Sequence, residues 1–225
     1  MIINMLLCLL LASNAWMIPG QCLGLFSSSP ASGALAELPG SIEDYRERNH
    51  PETTVAFWTE SSVNGCVFSG EDTVLPVASM IKTFILVSAY LEFREDWDEV
   101  PPELNAVLSY EEGYREPLEV FGSSARQEVR NRLDLAMSMM GRNQAEIGNT
   151  SYNAAANVLI FMLGGPRECT ERIRSIHSDF NSVRVGRYML ASRTNENENQ
   201  ATVRSLATVC RIICSQQIPG LEAVD

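Results

Sequence analysis

The sequence predicts an α+β fold that is rich in helices and carries a short antiparallel ribbon. Two β-rich runs, Thr53–Glu60 and Gly65–Ser69, flank the dipeptide Asn64-Gly65, which favours a hairpin turn. The stretch from Ser79 to about Phe93 has helical patterning and is apolar almost all round, so we expect this helix to be central. An isolated hairpin is marginal in water, and no further strand pattern that could pair with it is evident in the chain.

The other helices are predicted from capping and helix-breaking residues. Ser41 followed by Asp44 is a capping-box pattern that should open a short helix. Gly164-Gly165-Pro166 should end one helix and begin another, because proline suits the first helical turn. The predicted segments are, in order, a helix from 41 to about 49, an irregular acidic stretch over 94–130, a helix over 133–140, the polar insert "GRNQAEIGNT", a helix over 151–163, a helix from 166, a loop over 179–199 and an amphipathic helix over 199–216.

The composition of the chain restricts the classes of molecule that it is expected to bind. The chain has 225 residues, of which 45% are hydrophobic, so it can bury one good-sized core. Its net charge is −11 and its cations are scattered, which disfavours nucleic acid and anionic membranes as partners. A metal site is not expected, because two isolated histidines and cysteines without a C-x-x-C pair give no ligand spacing. No cofactor motif is evident.

The N-terminal residues are typical of an export signal. Met5 to Ala12 form an apolar run that is too short to span a bilayer, and Ser13-Asn14-Ala15 offers small residues for cleavage. We therefore predict a signal peptide over 1–15, a linker over 16–40 and one domain over 41–225, in an exported protein. A buried N-terminal helix is the alternative.

Lys82 is the only lysine of the chain, since the other sixteen basic residues are arginine. Ser79 lies three residues before it, so the two side chains share a helix face. A buried amine should lose its proton near neutral pH, and a neutral amine can accept the proton of a serine hydroxyl. Arginine cannot serve, because it stays protonated in proteins. Ser79 also lies in the first helical turn, where unpaired N–H groups can stabilise an oxyanion.

Other interpretations compete with this one. A lone lysine has a serine three residues before it on the order of one time in ten, and a lysine can also snorkel from a helix end for packing reasons. Ser151-Tyr152-Asn153 could be a capping serine followed by an ordinary polar residue. A Ser-His-Asp hydrolase is disfavoured, because His50 and His177 are the only histidines and no G-x-S-x-G sequence is present.

The motifs together resemble those of class A β-lactamases and penicillin-binding proteins, in which S-x-x-K is followed by S-D-N. "PVASMIKTFIL" is similar to the nucleophile helix of these serine hydrolases, and "TSYNAAANVLIFMLGGPRECTERI" to their second motif. "ENQATVRSLATVC" is similar to the segment after their active-site loop. The resemblance implies the β-lactamase/DD-peptidase-like fold, a helical subdomain with an antiparallel sheet.

The resemblance also implies roles for individual residues. Ser79 would be the acylated nucleophile and Lys82 the base that activates it. Ser151 would pass a proton to the leaving nitrogen, and Asn153 would bind the substrate amide. The substrate would be a β-lactam or a peptidoglycan-like peptide, without metal or cofactor.

Two departures from the family pattern affect the expected activity. Arg187-Tyr188-Met189 matches the loop that carries the deacylating glutamate, with methionine where that acid would stand. The third motif, K-T-G, is missing, and with it the C-terminal strands and closing helix expected of the family. We therefore expect weak or no deacylation of the acyl-enzyme. The alternative is a truncated, inactive relative that acts as a secreted binding module or is a non-functional fragment.

Overall fold

The computed structural model describes residues 36–61, 65–96, 132–140, 144–189 and 191–215, and it shows the expected mixture of helices and short strands. The elements are α1 (Leu38–Asn49), β1 (Phe57–Ser61), β2 (Gly65–Ser69), β3 (Leu75–Pro76), a 3₁₀ turn (Ala78–Met80), α2 (Ile81–Phe93), α3 (Arg132–Met139), α4 (Gln144–Met162), α5 (Pro166–Ile176), a second 3₁₀ turn (Ser178–Phe180), β4 (Gln200–Ala201) and α6 (Val203–Ser215).

These elements form two compact units. The first contains the residues up to Pro76 together with those from Thr202 onwards, and the second is Val77–Ala201. The hairpin and α6 therefore belong to one unit, although they lie far apart in the sequence. Helices α2 to α5 belong to the other.

In the first unit, β1 and β2 form the predicted antiparallel hairpin, with Phe57 opposite Ser69 and Ser61 opposite Gly65. Phe57 and Val67 are buried, and α6 contacts β1 while α1 contacts β2. The turn dipeptide itself begins at residue 64, outside the described residues.

Trp58 joins the hairpin to α6. Its ring stacks on Phe68 across the two strands, with centroids 4.8 Å apart. The guanidinium groups of Arg211 and Arg204, both on α6, lie 4.8 Å and 5.9 Å from its ring centroid. Arg211 also donates to Glu60 at 2.9 Å. These cation–π and ionic contacts hold the helix against the ribbon.

The start of α6 is fixed by a side-chain cap. The Thr202 hydroxyl accepts from the Ser205 backbone N–H at 3.1 Å, which satisfies one of the unpaired donors of the first turn. The predicted helix began at 199. The structure places β4 before this cap, so α6 begins at Val203.

The core of the second unit is built on α2 and on the 154–160 part of α4. Ile81, Phe84 and Ile85 on α2 are at most 1% exposed. The Phe84 ring meets the edge of Phe180 at 5.2 Å. Helices α3, α4 and α5 all contact α2, which confirms the prediction that this helix is central. Its α-helical part begins at Ile81, because the residues before it form a 3₁₀ turn.

Two predicted helix starts were wrong. Helix α1 begins at Leu38, inside the predicted linker, and Pro39 occupies its first turn. Ser41 therefore lies within the helix, where its hydroxyl donates to the Glu37 carbonyl at 3.2 Å instead of capping. The polar insert was also misread, because α4 already begins at Gln144. Glutamine, alanine and glutamate are good helix formers, and they outweigh the polarity of this segment.

The Gly-Gly-Pro turn between α4 and α5 is confirmed. Gly164 and Gly165 have φ of +96° and +94°, a conformation that other residues rarely adopt. Pro166 is the first residue of α5. The following 181–199 segment is largely irregular, as predicted, apart from a bridge between Arg184 and Gln200.

The predicted signal peptide, most of the linker and most of the acidic middle stretch lie outside the described residues. None of the helices that the structure describes combines the length and the apolar character needed to cross a membrane.

Replacing Trp58 with alanine tests the joint between hairpin and α6. We expect the free energy of unfolding to fall by about 3 kcal/mol, because the stacking on Phe68 and two cation–π contacts are lost. Urea denaturation followed by circular dichroism measures the change. Tyr45→Ala is the control, since this aromatic side chain is 59% exposed and its loss should cost less than about 0.5 kcal/mol. Equal losses of unfolding free energy in Trp58→Ala and Tyr45→Ala would contradict the role of Trp58 in joining the hairpin to α6.

Candidate active site

The backbone that presents Ser79 is held in an unusual conformation. The Val77 N–H donates to the Asn199 carbonyl at 3.0 Å, and the next residue, Ala78, has φ of +44°. A positive φ is uncommon for alanine, and residues held in such regions cluster at functional sites. Ser79 follows directly, in the 3₁₀ turn that leads into α2, and it is exposed. A nucleophile in this place is open to a substrate.

Lys82 lies in the first turn of α2 and is only 3% exposed. Burial disfavours the charged amine, and this desolvation lowers the pKa of Lys82 from 10.5 to about 7. Near neutral pH the amine is therefore partly deprotonated, as the sequence analysis predicted.

Asn153 is the residue that holds this amine. Its Oδ1 accepts a hydrogen bond from Lys82 Nζ at 2.8 Å, which links α4 to α2. The structure thus brings together two of the four predicted site residues. Among the described residues, no hydrogen bond joins the Ser79 hydroxyl to the Lys82 amine. Catalytic hydrogen bonds are often long without substrate and tighten when it binds.

Ser151 lies on α4, two residues before Asn153, and its side chain is outside the described residues. The backbone of α4 places it well inside the helix, so the alternative interpretation as a helix cap is wrong. Its catalytic role remains a prediction.

The 187–189 segment is attached to the same helix by Asn157, which sequence reasoning missed. Met189 donates its N–H to Asn157 Oδ1 at 2.6 Å, and its carbonyl accepts from Asn157 Nδ2 at 3.1 Å. Asn157 lies one turn after Asn153 and is 1% exposed. An asparagine in the apolar stretch "NAAANVLI" was the available signal, because a buried amide requires hydrogen-bond partners.

Neighbouring residues fix the rest of this loop. Asn199 Oδ1 accepts from the N–H groups of Gly186 and Arg187 at 2.8 Å and 3.2 Å. A side chain at Gly186 would meet the Asn197 carbonyl oxygen at 2.4 Å, so glycine is required there. Arg187 is buried, and its guanidinium lies 3.9 Å from the Glu198 carboxylate. The Glu198 carboxylate therefore forms an ion pair with an arginine of its own loop.

The two histidines lie at helix ends, as expected if they have structural roles. His50 is the C-cap residue of α1, and His177 follows α5, where its Nδ1 accepts from the Asp179 N–H at 3.1 Å. Within the ranges the structure describes, no three histidine, cysteine, aspartate or glutamate side chains are grouped so that they could hold a metal ion.

Comparison with known proteins decides the family. The model of the "Beta-lactamase enzyme family" matches residues 41–221, which is most of the chain. The chain belongs to the β-lactamase enzyme family. A comparison with curated proteins finds no match.

Solved structures support the same fold for this β-lactamase-family chain. It is similar to a class A β-lactamase of the last common ancestor of Gram-negative bacteria, with 17% identity and a TM-score of 0.50 over 83% of this chain and 70% of that one. Two variants of that ancestral enzyme also match. One has 20% identity and a TM-score of 0.44 over 71% of this chain and 59% of its own, and the other has 17% and 0.45 over 84% and 69%. The predicted α+β, β-lactamase-like fold class is confirmed.

The buried amine of this β-lactamase-family chain makes its stability depend on pH in a defined direction. Between pH 7 and 10.5 the unfolded state binds a proton at Lys82 that the folded state does not. The stability linked to this group is fully present above pH 10.5 and is lost as the pH falls to 7. Compared with Lys82→Met, the wild type should therefore gain up to about 1.4 kcal/mol per pH unit within this window.

Urea denaturation of both proteins at several pH values measures this difference. Arg94→Met is the control, because Arg94 is exposed and should give a difference that does not change with pH. If the difference in unfolding free energy between wild type and Lys82→Met does not change with pH, the amine keeps its ordinary pKa and the prediction is wrong.

Proposed function

We propose that this chain forms an acyl-enzyme at Ser79 with β-lactams or related peptide amides, and that the ester is hydrolysed slowly or not at all. The observation that carries the proposal is the buried Lys82 amine, fixed by Asn153 at 2.8 Å in the first turn of α2. Membership of the β-lactamase family supports the substrate class.

The acylation step includes two proton transfers, one from the Ser79 hydroxyl and one to the leaving nitrogen. As the Ser79 oxygen attacks the amide carbonyl, the neutral Lys82 amine takes the hydroxyl proton. The backbone N–H of Ser79 stabilises the oxyanion that forms. When the C–N bond breaks, Ser151 passes its hydroxyl proton to the leaving nitrogen and regains a proton from the Lys82 ammonium, so that both groups return to their starting state. Asn153 orients the substrate amide and holds the lysine, so it connects binding with proton transfer.

The ester should persist because position 189 supplies no base. Met189 is 5% exposed, and its backbone is held on both sides by Asn157. A thioether cannot take a proton from water. Glu198, a half-buried carboxylate of the same loop, is already paired with Arg187 at 3.9 Å and with Arg193 at 3.8 Å. Water activation is therefore the missing step.

We also propose that the protein is exported, on the basis of the apolar run and small residues before position 16. Mass spectrometry of the protein produced in a secreting host would show cleavage near Ala15 if this is right.

Lys82→Arg is the sharpest test of the base. Arginine keeps the charge but cannot release a proton, so we expect labelling by a fluorescent penicillin to slow by about 100-fold or more. In the wild type, the labelling rate should rise with pH up to about 7 and then level off, following deprotonation of the amine. Rates come from gel fluorescence after timed quenching.

Ser79→Ala is the matched control for this experiment and should abolish covalent labelling. Reversible binding that survives in Ser79→Ala, together with no covalent labelling in the wild type, would favour a binding module. Near-normal labelling of Lys82→Arg would overturn the proposed mechanism.

Met189→Glu tests the missing base. A carboxylate at this position should accelerate hydrolysis of the acyl-enzyme by at least about 10-fold, since general bases contribute 10²–10⁴-fold. Release of the fluorescent label after removal of free penicillin measures the rate. Met189→Gln has nearly the same shape without the charge and should leave the rate unchanged. Equal release rates in all three proteins would contradict the assignment of this position.

A further inference from the structure

A cleft of about 580 Å³ lies between the start of α5 and the 186–188 loop. It is lined by residues that include Phe161, Gly165, Arg167, Glu168, Arg187 and Tyr188. Ser79, Lys82 and Asn153 do not line it. Phe161 is eight residues after Asn153 on α4, which places the cleft about 12 Å along that helix from the lysine's partner. Its volume is in the range of small-molecule sites, about 300–1,000 Å³.

Two charged side chains of this cleft have no described role in the fold. Arg167 and Glu168 are adjacent in the first turn of α5, where neighbouring side chains do not face each other. Both are exposed, and neither forms a hydrogen bond or ion pair with another described residue. By contrast, the Arg187 guanidinium is occupied, since it donates to the carbonyls of Tyr188 and Ala191. The cleft therefore offers one available cation and one available anion.

The floor of the cleft is kept open by glycine. A Cβ at Gly165 would lie 3.8 Å from the Tyr188 hydroxyl and 4.0 Å from Glu168 Oε2. A side chain longer than a methyl group would therefore reach into the space between these two polar groups. Phe161 and Tyr188 also line the cleft and add aromatic surface to it. The lining thus combines opposite charges with aromatic surface.

We propose that this cleft binds a short zwitterionic peptide with an apolar side chain. Its ammonium group would meet the Glu168 carboxylate and the Tyr188 hydroxyl, and its carboxylate would meet Arg167. The apolar side chain would pack on Phe161. Tyr188 precedes Met189, whose backbone is tied to α4, so a ligand here contacts the loop of the acylation site without occupying that site.

The test uses the full chain and the dipeptide glycyl-phenylalanine as probe, with affinity measured by titration calorimetry or NMR shifts. We expect saturable binding at millimolar concentrations, weakened about 3- to 10-fold by N-acetylation or by C-terminal amidation, each of which removes one charge. Glu168→Gln should weaken the free dipeptide but not its N-acetyl form, and Arg167→Gln should weaken the free dipeptide but not the amide.

Two variants serve as controls. Glu171→Gln changes an acid one turn further along α5, outside the cleft, and should leave the affinity unchanged. Ser79→Ala should also bind normally, which separates this site from acylation. Absence of saturable binding, equal effects of Glu168→Gln and Glu171→Gln, or loss of binding in Ser79→Ala would overturn the proposal.

Discussion

The chemistry assigned to this chain depends on one interaction, the hydrogen bond from the buried Lys82 amine to Asn153. Lys82 is 3% exposed, so its amine is costly to charge, and the acceptor that Asn153 provides is a neutral amide oxygen. A carboxylate in the place of Asn153 would stabilise the ammonium and raise its pKa. The neutral acceptor fixes the position of the nitrogen while leaving it able to exchange a proton. The packing of α2 against α4 has to be accurate enough to maintain a 2.8 Å contact.

Helix α4 supports both the base and the loop behind it. Its stretch from Ala154 to Ala156 is fully buried, and small side chains let neighbouring helices approach closely. Asn153 accepts a hydrogen bond from Lys82 on α2. Asn157, one turn later, forms two hydrogen bonds with the backbone of Met189. Lys82 and the 187–189 segment are therefore both attached to α4. With methionine at position 189 this attachment is present, which fits the proposal of an enzyme that is acylated and turns over slowly or not at all.

Sequence reasoning could predict the parts of the candidate site that are close together in the chain. Ser79 lies in the 3₁₀ turn before α2 and Lys82 in the first turn of α2, so their spacing of three residues is visible in the chain, and the fold class followed from motifs in the right order. The pairing of Lys82 with Asn153 and of Asn157 with Met189 spans 71 and 32 residues and exists only after the helices pack. The start of α4 was missed because helix propensity, and not polarity, decided the state of residues 144–150. The cleft at α5 has no local signature, since its walls come from three separate segments.

The first unit combines the hairpin with α6, which are separated by the entire second unit in the sequence. During synthesis on the ribosome, β1 and β2 emerge more than a hundred residues before Arg204 and Arg211, the side chains that cover Trp58. Until α6 has been synthesised, the aromatic face of the ribbon is therefore exposed to solvent. Such exposed apolar surface favours binding to chaperones or association with other chains. Yield of the native protein should accordingly depend on how rapidly translation delivers the last described helix.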